Sequence, residues 1–255
     1  MLLTIDVGNT DTTFGVFDGE KLRAAWHIAT GIRRMGDEYA AFLLYLMDHE
    51  GLKVSDIKAI VLCSVVPPLI ATLEELFQHY FKITPLVIGA GVKTGVRIRM
   101  DNPREVGPDR IVNAAAAQTL YGAPVIVVDM GTATTFDTVS KEGDYIGGAI
   151  SPGIMTAAEA LFTRTSRLSR VELVRPKRAI GTNTVSAMQS GIVFGYVGLI
   201  EGIVARIQAE LDEKAKVIAT GGFATLMGQE TDIFDEVNPD LTLIGLRLIY
   251  ELNQA

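Results

Sequence analysis

Two short stretches of this chain carry residue types suited to holding phosphate and a cation. Asp6-Val7-Gly8-Asn9-Thr10 ends an apolar run, and Asp129-Met130-Gly131-Thr132 ends another, about half the 255-residue length away. Thr12-Thr13-Phe14 follows the first and Thr134-Thr135-Phe136 the second, with one residue fewer in the second copy. Glycine in such a turn lets backbone amides face phosphate oxygens, threonines add hydroxyl donors, and Asp6 can hold a metal ion or its water. A single copy reads better as a plain Asx turn closing a hairpin. The repeat, with Thr220-Gly221-Gly222 as a third glycine turn, favours a split site for a nucleotide. The chain contains no Gly-Lys-Ser/Thr, so the P-loop class is disfavoured.

A third stretch is not repeated. Asp101-Asn102-Pro103-Arg104-Glu105-Val106-Gly107-Pro108-Asp109-Arg110 is dense in turn residues and leads into an alanine-rich helix. Pro108 suits the first turn of that helix and Asp109 its positive end. Read alone, Asp109 stabilises the helix dipole and Arg110 decorates a surface. Beside a nucleotide, Asp109 could take a proton from a substrate hydroxyl while Arg110 binds an anionic part of the substrate.

The elements that position these residues follow from pattern. Residues 2–6, 12–17 and 22–29 read as strands, 37–50 as a helix, 57–66 as a buried strand and 71–81 as a helix. Short strands are predicted at 85–88 and 95–100, and a helix from 108 to about 121 that Gly122-Ala123-Pro124 ends. The plan then repeats with strands at 125–129, 134–140 and 145–150. A long helix over 183–211, a strand at 217–220 and a closing helix at 239–253 complete it. Ser186, Ser190, Gly191, Gly195 and Gly198 on the long helix suggest close helix packing. The pattern predicts an α/β fold of two halves, 1–117 and 118–255.

Composition narrows the class. A net charge of −7 argues against a nucleic-acid face. Mean hydropathy is +0.29, yet the longest uninterrupted apolar stretch stops at Glu201, short of the about 20 residues a membrane span needs. The single Cys63 reads as buried filler in a reducing compartment, and no secretory leader precedes Asp6, so a cytoplasmic place is expected. His27, His49 and His79 show no paired spacing for zinc, and Ser151-Pro152-Gly153 lacks the frame of a hydrolase elbow.

The motifs DVGNT at 6–10, SVVPP at 64–68, DNPREVGPDR at 101–110, DMGTATT at 129–135, GGAISPG at 147–153, GTNT at 181–184 and ATGG at 219–222 resemble those of the type III pantothenate kinases. The resemblance implies two duplicated ribonuclease-H-like (actin-like ATPase) domains with an ATP cleft between them, a homodimer, and ATP-dependent phosphorylation of pantothenate, the first step towards coenzyme A. It implies magnesium and a monovalent cation, potassium or ammonium. By matched position, Asp6, Val7, Gly8, Asn9, Thr10, Asp11, Thr12 and Thr13 form the ATP phosphate loop, Thr132 is a second ATP contact and Asp129 ligates the monovalent cation. Gly107, Pro108, Asp109 and Arg110 hold pantothenate, with Asp109 as general base and Thr184 as a further contact. Many members place a tyrosine where this chain has Met100, which keeps apolar volume but loses a hydroxyl. A sugar or small-acid kinase of the same superfamily, and a non-catalytic nucleotide-binding regulator, are the competing readings.

Overall fold

Strand β1 (Leu2–Val7) is buried along nearly its whole length, so Leu3, Ile5 and Val7 pack on one face while Thr4 is buried on the other. It runs antiparallel to β2 (Asp11–Asp18), which pairs antiparallel with β3 (Lys21–Ala29). Helix α1 (Gly36–His49) places Tyr39, Ala40, Leu43 and Met47 in the core, the spacing of one helical face. Strand β4 (Ala59–Ser64) then lies parallel to β1. The structure is a computed structural model that describes residues 1–165, 168 and 170–254.

Helix α2 (Pro67–Leu76) starts four residues before the predicted 71, because Pro67 and Pro68 occupy its first turn, where a missing amide costs nothing. A π-helical turn, Phe77–Phe81, ends it. Strand β5 (Leu86–Val87) completes a sheet of order β3-β2-β1-β4-β5.

The second sheet repeats this order and adds to it. Strand β6 (Arg97–Ile98) precedes α3 (Pro108–Tyr121), and β7 (Val125–Met130), β8 (Ala133–Val139) and β9 (Asp144–Pro152) form an antiparallel meander like β1-β2-β3. Helices α4 (Ile154–Thr163) and α5 (Thr184–Glu210) follow, and then β10 (Lys216–Thr220), parallel to β7 as β4 is to β1. After α6 (Ala224–Gly228), β11 (Glu236–Val237) and α7 (Leu241–Leu252), the sheet order is β11-β10-β7-β8-β9-β6. The meander-plus-parallel-strand unit therefore occurs twice, and β6 on the β9 edge has no counterpart in the first sheet.

Two compact units divide the chain. One comprises Met1–Gly95, Arg104–Ala116 and Thr242–Ala255, the other Val96–Pro103 and Ala117–Leu241. One break falls at 116/117, and two segments group with the unit opposite to their place in the sequence. Residues 96–103 follow β6 onto β9. Most of α7 joins the first unit, where Gly245 lies against the Val112 carbonyl and Thr242 Oγ1 donates to Asn113 Oδ1 at 2.7 Å.

Helix α5 corrects a sequence expectation. By length and composition it is apolar enough to cross a membrane, because Glu201 is too isolated to break its apolar character. It is a core helix: Met188, Ile192, Val193, Tyr196, Val197, Ile200 and Val204 bury one side in the second unit. Its small residues also divide. Ser190 Oγ donates to the Ala179 carbonyl at 2.6 Å, whereas a side chain at Gly191, Gly195 or Gly198 would meet open space. No helix packs on those glycines among the described residues.

Candidate active site

In the first unit the β1–β2 turn presents Asn9, Thr10 and Asp11 to solvent and keeps Val7 and Thr12 buried. Its glycine amide is not free for phosphate, as the sequence suggested: Gly8 N donates to the Asp11 carbonyl at 2.9 Å. The Thr12 hydroxyl pairs with Thr30 Oγ1 at 2.8 Å, Thr30 Oγ1 donates to the Gly8 carbonyl at 2.8 Å, and Thr30 N donates to Thr10 O at 2.7 Å. Thr13 Oγ1 is paired with His27 Nδ1 at 3.0 Å. Thr30 was not singled out from sequence. It reaches the turn only because β3 carries the chain back beside β2, with Asp11 opposite Ala29.

Asp6 and Asp109 converge on one buried group. Cys63 lies opposite Asp6 across β1 and β4, is fully buried and hydrogen-bonds the Asp6 carboxylate. Burial first, then the negative charges of Asp6 and Asp109, push the Cys63 thiol well above its ordinary range. Cys63 is the buried, unpaired thiol that the sequence predicted. A thiol acted on by both carboxylates places the turn aspartate and the helix aspartate in one neighbourhood of the first unit.

Asp109 is the second residue of α3. Burial raises its carboxyl above the ordinary carboxylate range, while the Arg110 amide, at 2.9 Å from Oδ1, and the Arg110 charge pull the other way. Gly107 makes this conformation possible, because a side chain there would collide with Asp109 Oδ1. Val65 lies beyond it, 3.8 Å from the same point. The SVVPP stretch thus lies behind Gly107: Val65 N is held by Val7 O at 3.0 Å, and Ser64 Oγ accepts from Val66 N at 3.0 Å. Behind Asp109, Asn113 and the alanines 114–117 are buried, as the predicted alanine-rich helix requires.

In the second unit the β7–β8 turn is one residue tighter. Gly131 N donates to Ala133 O at 3.0 Å, two residues on, where Gly8 reaches three. The Thr132 carbonyl accepts from Gly153 N at 3.0 Å and from Thr156 Oγ1 at 2.8 Å, so the start of α4 fixes this turn. Neither α4 nor Thr156 was anticipated. The signal was present in Gly153, an extended N-cap, followed by the helix-favouring run from Ile154 to Phe162.

Asp129 lies against Gly221. Gly221 has φ of +88°, a backbone that favours glycine, and a side-chain carbon there would fall 2.5 Å from Asp129 Oδ1. The third glycine turn therefore forms a cradle at a carboxylate. Asp137, also unpredicted, is fully buried in β8 and accepts from Thr135 Oγ1 at 2.8 Å and Tyr145 OH at 2.7 Å. Thr184 starts α5 after Asn183, whose side chain caps Ser186 N at 2.9 Å. It lines a pocket of about 890 Å³ with Asn183, Met188, Tyr196 and Leu199. Met100 sits by β9, its sulfur 3.0 Å from where a side chain at Gly147 would begin.

The donors present fit the implied ions. Magnesium keeps most of its waters and needs only one or two carboxylates beside substrate phosphates. Asp6, in the neighbourhood of Asp109, offers that, and no group of three or more His, Cys, Asp or Glu side chains is present among the described residues. The Asp129 carboxylate, with Gly221 against it, is an oxygen donor of the kind a monovalent cation takes.

Comparison with known proteins gives the family and the fold. A family model described as type III pantothenate kinase matches residues 2–206. A type III pantothenate kinase from Dehalococcoides mccartyi strain CBDB1 is 58% identical over 254 residues, covering 100% of this chain and 97% of its own. Those from Moorella thermoacetica and Geobacillus kaustophilus are 54% and 53% identical over 253 residues, each covering 99% of this chain and 100% and 98% of their own. Among solved structures, component A of (R)-2-hydroxyglutaryl-CoA dehydratase from Acidaminococcus fermentans has a TM-score of 0.55 at 13% identity, covering 98% of this chain and 96% of that one. A ROK hexokinase from Thermus thermophilus has a TM-score of 0.50 at 14% identity, covering 100% and 99%. These two show the fold alone: two ribonuclease-H-like domains.

Proposed function

We propose, for a chain that belongs to the type III pantothenate kinase family and so phosphorylates pantothenate with ATP at the start of coenzyme A synthesis, that Asp109 is the general base. The observation that supports this is Asp109 at the second position of α3, its Oδ1 held by the Arg110 amide at 2.9 Å and its carboxyl raised by burial. A carboxylate so held is able to take a hydroxyl proton at the head of a helix. Asp109 orients the primary hydroxyl of pantothenate and accepts its proton as the new P–O bond forms. Because the phosphoryl transition state is loose, most of the acceleration comes from positioning and charge, and the base is worth about 10²–10⁴-fold.

Within this reading, residues 6–13 follow the ATP phosphates, with Asn9, Thr10 and Asp11 exposed to meet them and Val7 and Thr12 holding the turn. Thr132 contacts the nucleotide. Gly107, Pro108, Arg110, Met100 and Thr184 bind pantothenate, Arg110 through its carboxylate. Asp6 holds magnesium through its waters and Asp129 holds potassium or ammonium. Bound there, these ions offset the phosphate charge. We further read the enzyme as a cytoplasmic homodimer, a reading supported by the uncovered α5 face at Gly191, Gly195 and Gly198.

The test is ADP release with pantothenate in potassium, with sodium as the control. Pantothenate-dependent ADP release that is stronger in potassium is expected. Equal rates in sodium would remove the cation role from Asp129, and no dependence on pantothenate would remove the acceptor.

A further inference from the structure

Thr220 ends β10 with its side chain inside the protein. The residue is 1% exposed, and among the described residues its hydroxyl oxygen is buried with no hydrogen-bond partner. Burying a hydroxyl in this way is unfavourable unless something else satisfies it.

The sheet shows what stands beside it. Thr220 is opposite Asp129 on the parallel pair β10–β7, and Asp129 is opposite Thr135 on the antiparallel pair β7–β8. Their sequence neighbours Val128, Met130, Phe136 and Ala219 face the core that α5 covers. By strand alternation, Thr220, Asp129, Thr135 and Asp137 share the other face. The first three stand side by side across strands about 4.8 Å apart. All four belong to the second unit.

The Asp129 carboxylate leans towards β10, since its Oδ1 is 2.5 Å from where a side chain at Gly221 would begin. That brings it to the side on which Thr220 stands. On the other flank, Thr135 Oγ1 donates its one proton to Asp137 Oδ2 at 2.8 Å, and Tyr145 OH donates to Asp137 Oδ1 at 2.7 Å. Thr135 is thus left with only lone pairs to offer a further neighbour. Acceptor oxygens beside a negative charge repel an anion and suit a cation. One leaning carboxylate with neutral hydroxyl oxygens matches a monovalent ion. A divalent ion held by protein takes more carboxylates, and no group of three or more His, Cys, Asp or Glu side chains occurs among the described residues.

We propose that the Thr220 hydroxyl oxygen is a ligand of the cation held at Asp129. This rests on the reading of Asp129 as the monovalent-cation residue and adds a neutral oxygen to it. The ion supplies the partner that the buried hydroxyl otherwise lacks.

Thr138 provides a control. Its hydroxyl is also buried without a partner, but Thr138 lies opposite Ile126 and so faces the α5 core. The experiment is thermal melting of the full chain with magnesium and ADP, titrating potassium chloride against choline chloride at constant ionic strength. The proteins are wild type, Thr220→Val, Thr220→Ser, Thr138→Val and Asp129→Asn. An ion that binds the folded state raises the melting temperature with concentration, so the midpoint of that rise reports its binding without any turnover. In choline, Thr220→Val and Thr138→Val should both melt no lower than wild type, because each removes an unsatisfied hydroxyl. In potassium only Thr220→Val should move the midpoint, upwards by about 10-fold or more, the scale on which altered partners weaken metal sites. Thr220→Ser keeps the hydroxyl and should stay within about 2-fold of wild type. If Thr220→Val does not fold, Thr220→Ala carries the same expectation.

A wild-type midpoint in Thr220→Val would overturn the proposal and leave the hydroxyl to a buried water. Equal shifts in Thr220→Val and Thr138→Val would also overturn it, as a general effect of repacking. A wild-type melt indifferent to potassium, or an unchanged response in Asp129→Asn, would instead overturn the Asp129 reading and this ligand with it.

Discussion

Gly221 and Asp129 lie so close that no residue other than glycine fits: a side-chain carbon at 221 would stand 2.5 Å from Asp129 Oδ1. Both sit at strand ends, Thr220 opposite Asp129 on the parallel pair β10–β7. The contact therefore depends on a register between strands about ninety residues apart in the chain. Gly221→Ala combines a φ of +88° with a collision and should cost about 1–3 kcal/mol if the turn holds. Its particular effect should be a shifted potassium dependence of turnover. An activation curve by potassium unchanged from wild type would separate Gly221 from the cation site.

Gly107 tests the acceptor side. Alanine there would push Asp109 Oδ1 out of its position beside the Arg110 amide. Pantothenate-dependent turnover should fall by about 10-fold or more while ATP affinity is kept, in line with the cost of misplacing a catalytic group. Calorimetry for ATP and steady-state kinetics for pantothenate, on the same sample, read the two separately.

Asp109 also predicts a pH dependence. Its carboxyl is raised in the folded protein, so between its ordinary pKa and the raised one the folded state binds more protons than the unfolded state. Stability from this group is thus greatest at low pH and is lost as pH rises through that window. Asp109→Asn, which removes the half-buried charge, should be at least as stable as wild type at neutral pH and should lack that loss. Turnover runs the opposite way: kcat/KM for pantothenate should rise with pH through the raised value, because the base must be ionised. Denaturant melts of both proteins across pH would show parallel curves if Asp109 were not buried as described.

Thr30 predicts an effect confined to the nucleotide. Thr30→Val removes the hydroxyl that holds Gly8 O and Thr12 Oγ1, a net loss of about 0.5–1.5 kcal/mol per bond. The ATP KM should rise and the pantothenate KM should not. Equal changes in both would point to general unfolding of the turn.

The fold was legible where local pattern decides it. Runs such as Leu2–Val7 and Val125–Met130 are buried strands, and their repetition with the same following turn foretold the duplicated meander. Asp109 at the head of α3 was legible because Pro108 marks a helix start. What was not legible depends on distance along the chain. The edge position of the predicted strand β6 is set by pairing with β9, the reach of Thr30 by the path of β3, and the placement of α7 by Gly245 against Val112. The glycine amides misled for another reason. The sequence shows that Gly8 and Gly131 can turn, but only the structure shows that each spends its amide closing its own turn. Helix α4 was a missed local signal, since a glycine N-cap before a run of helix formers was there to be read.

The central claim is that Asp109 takes the proton of the pantothenate hydroxyl in a site that binds ATP without it. Pantothenate-dependent ADP release by Asp109→Asn, measured beside wild type with ATP affinity determined on both, tests this most directly. The account predicts turnover lower by about 10²–10⁴-fold with ATP affinity and folding unchanged. Turnover near that of wild type would contradict it.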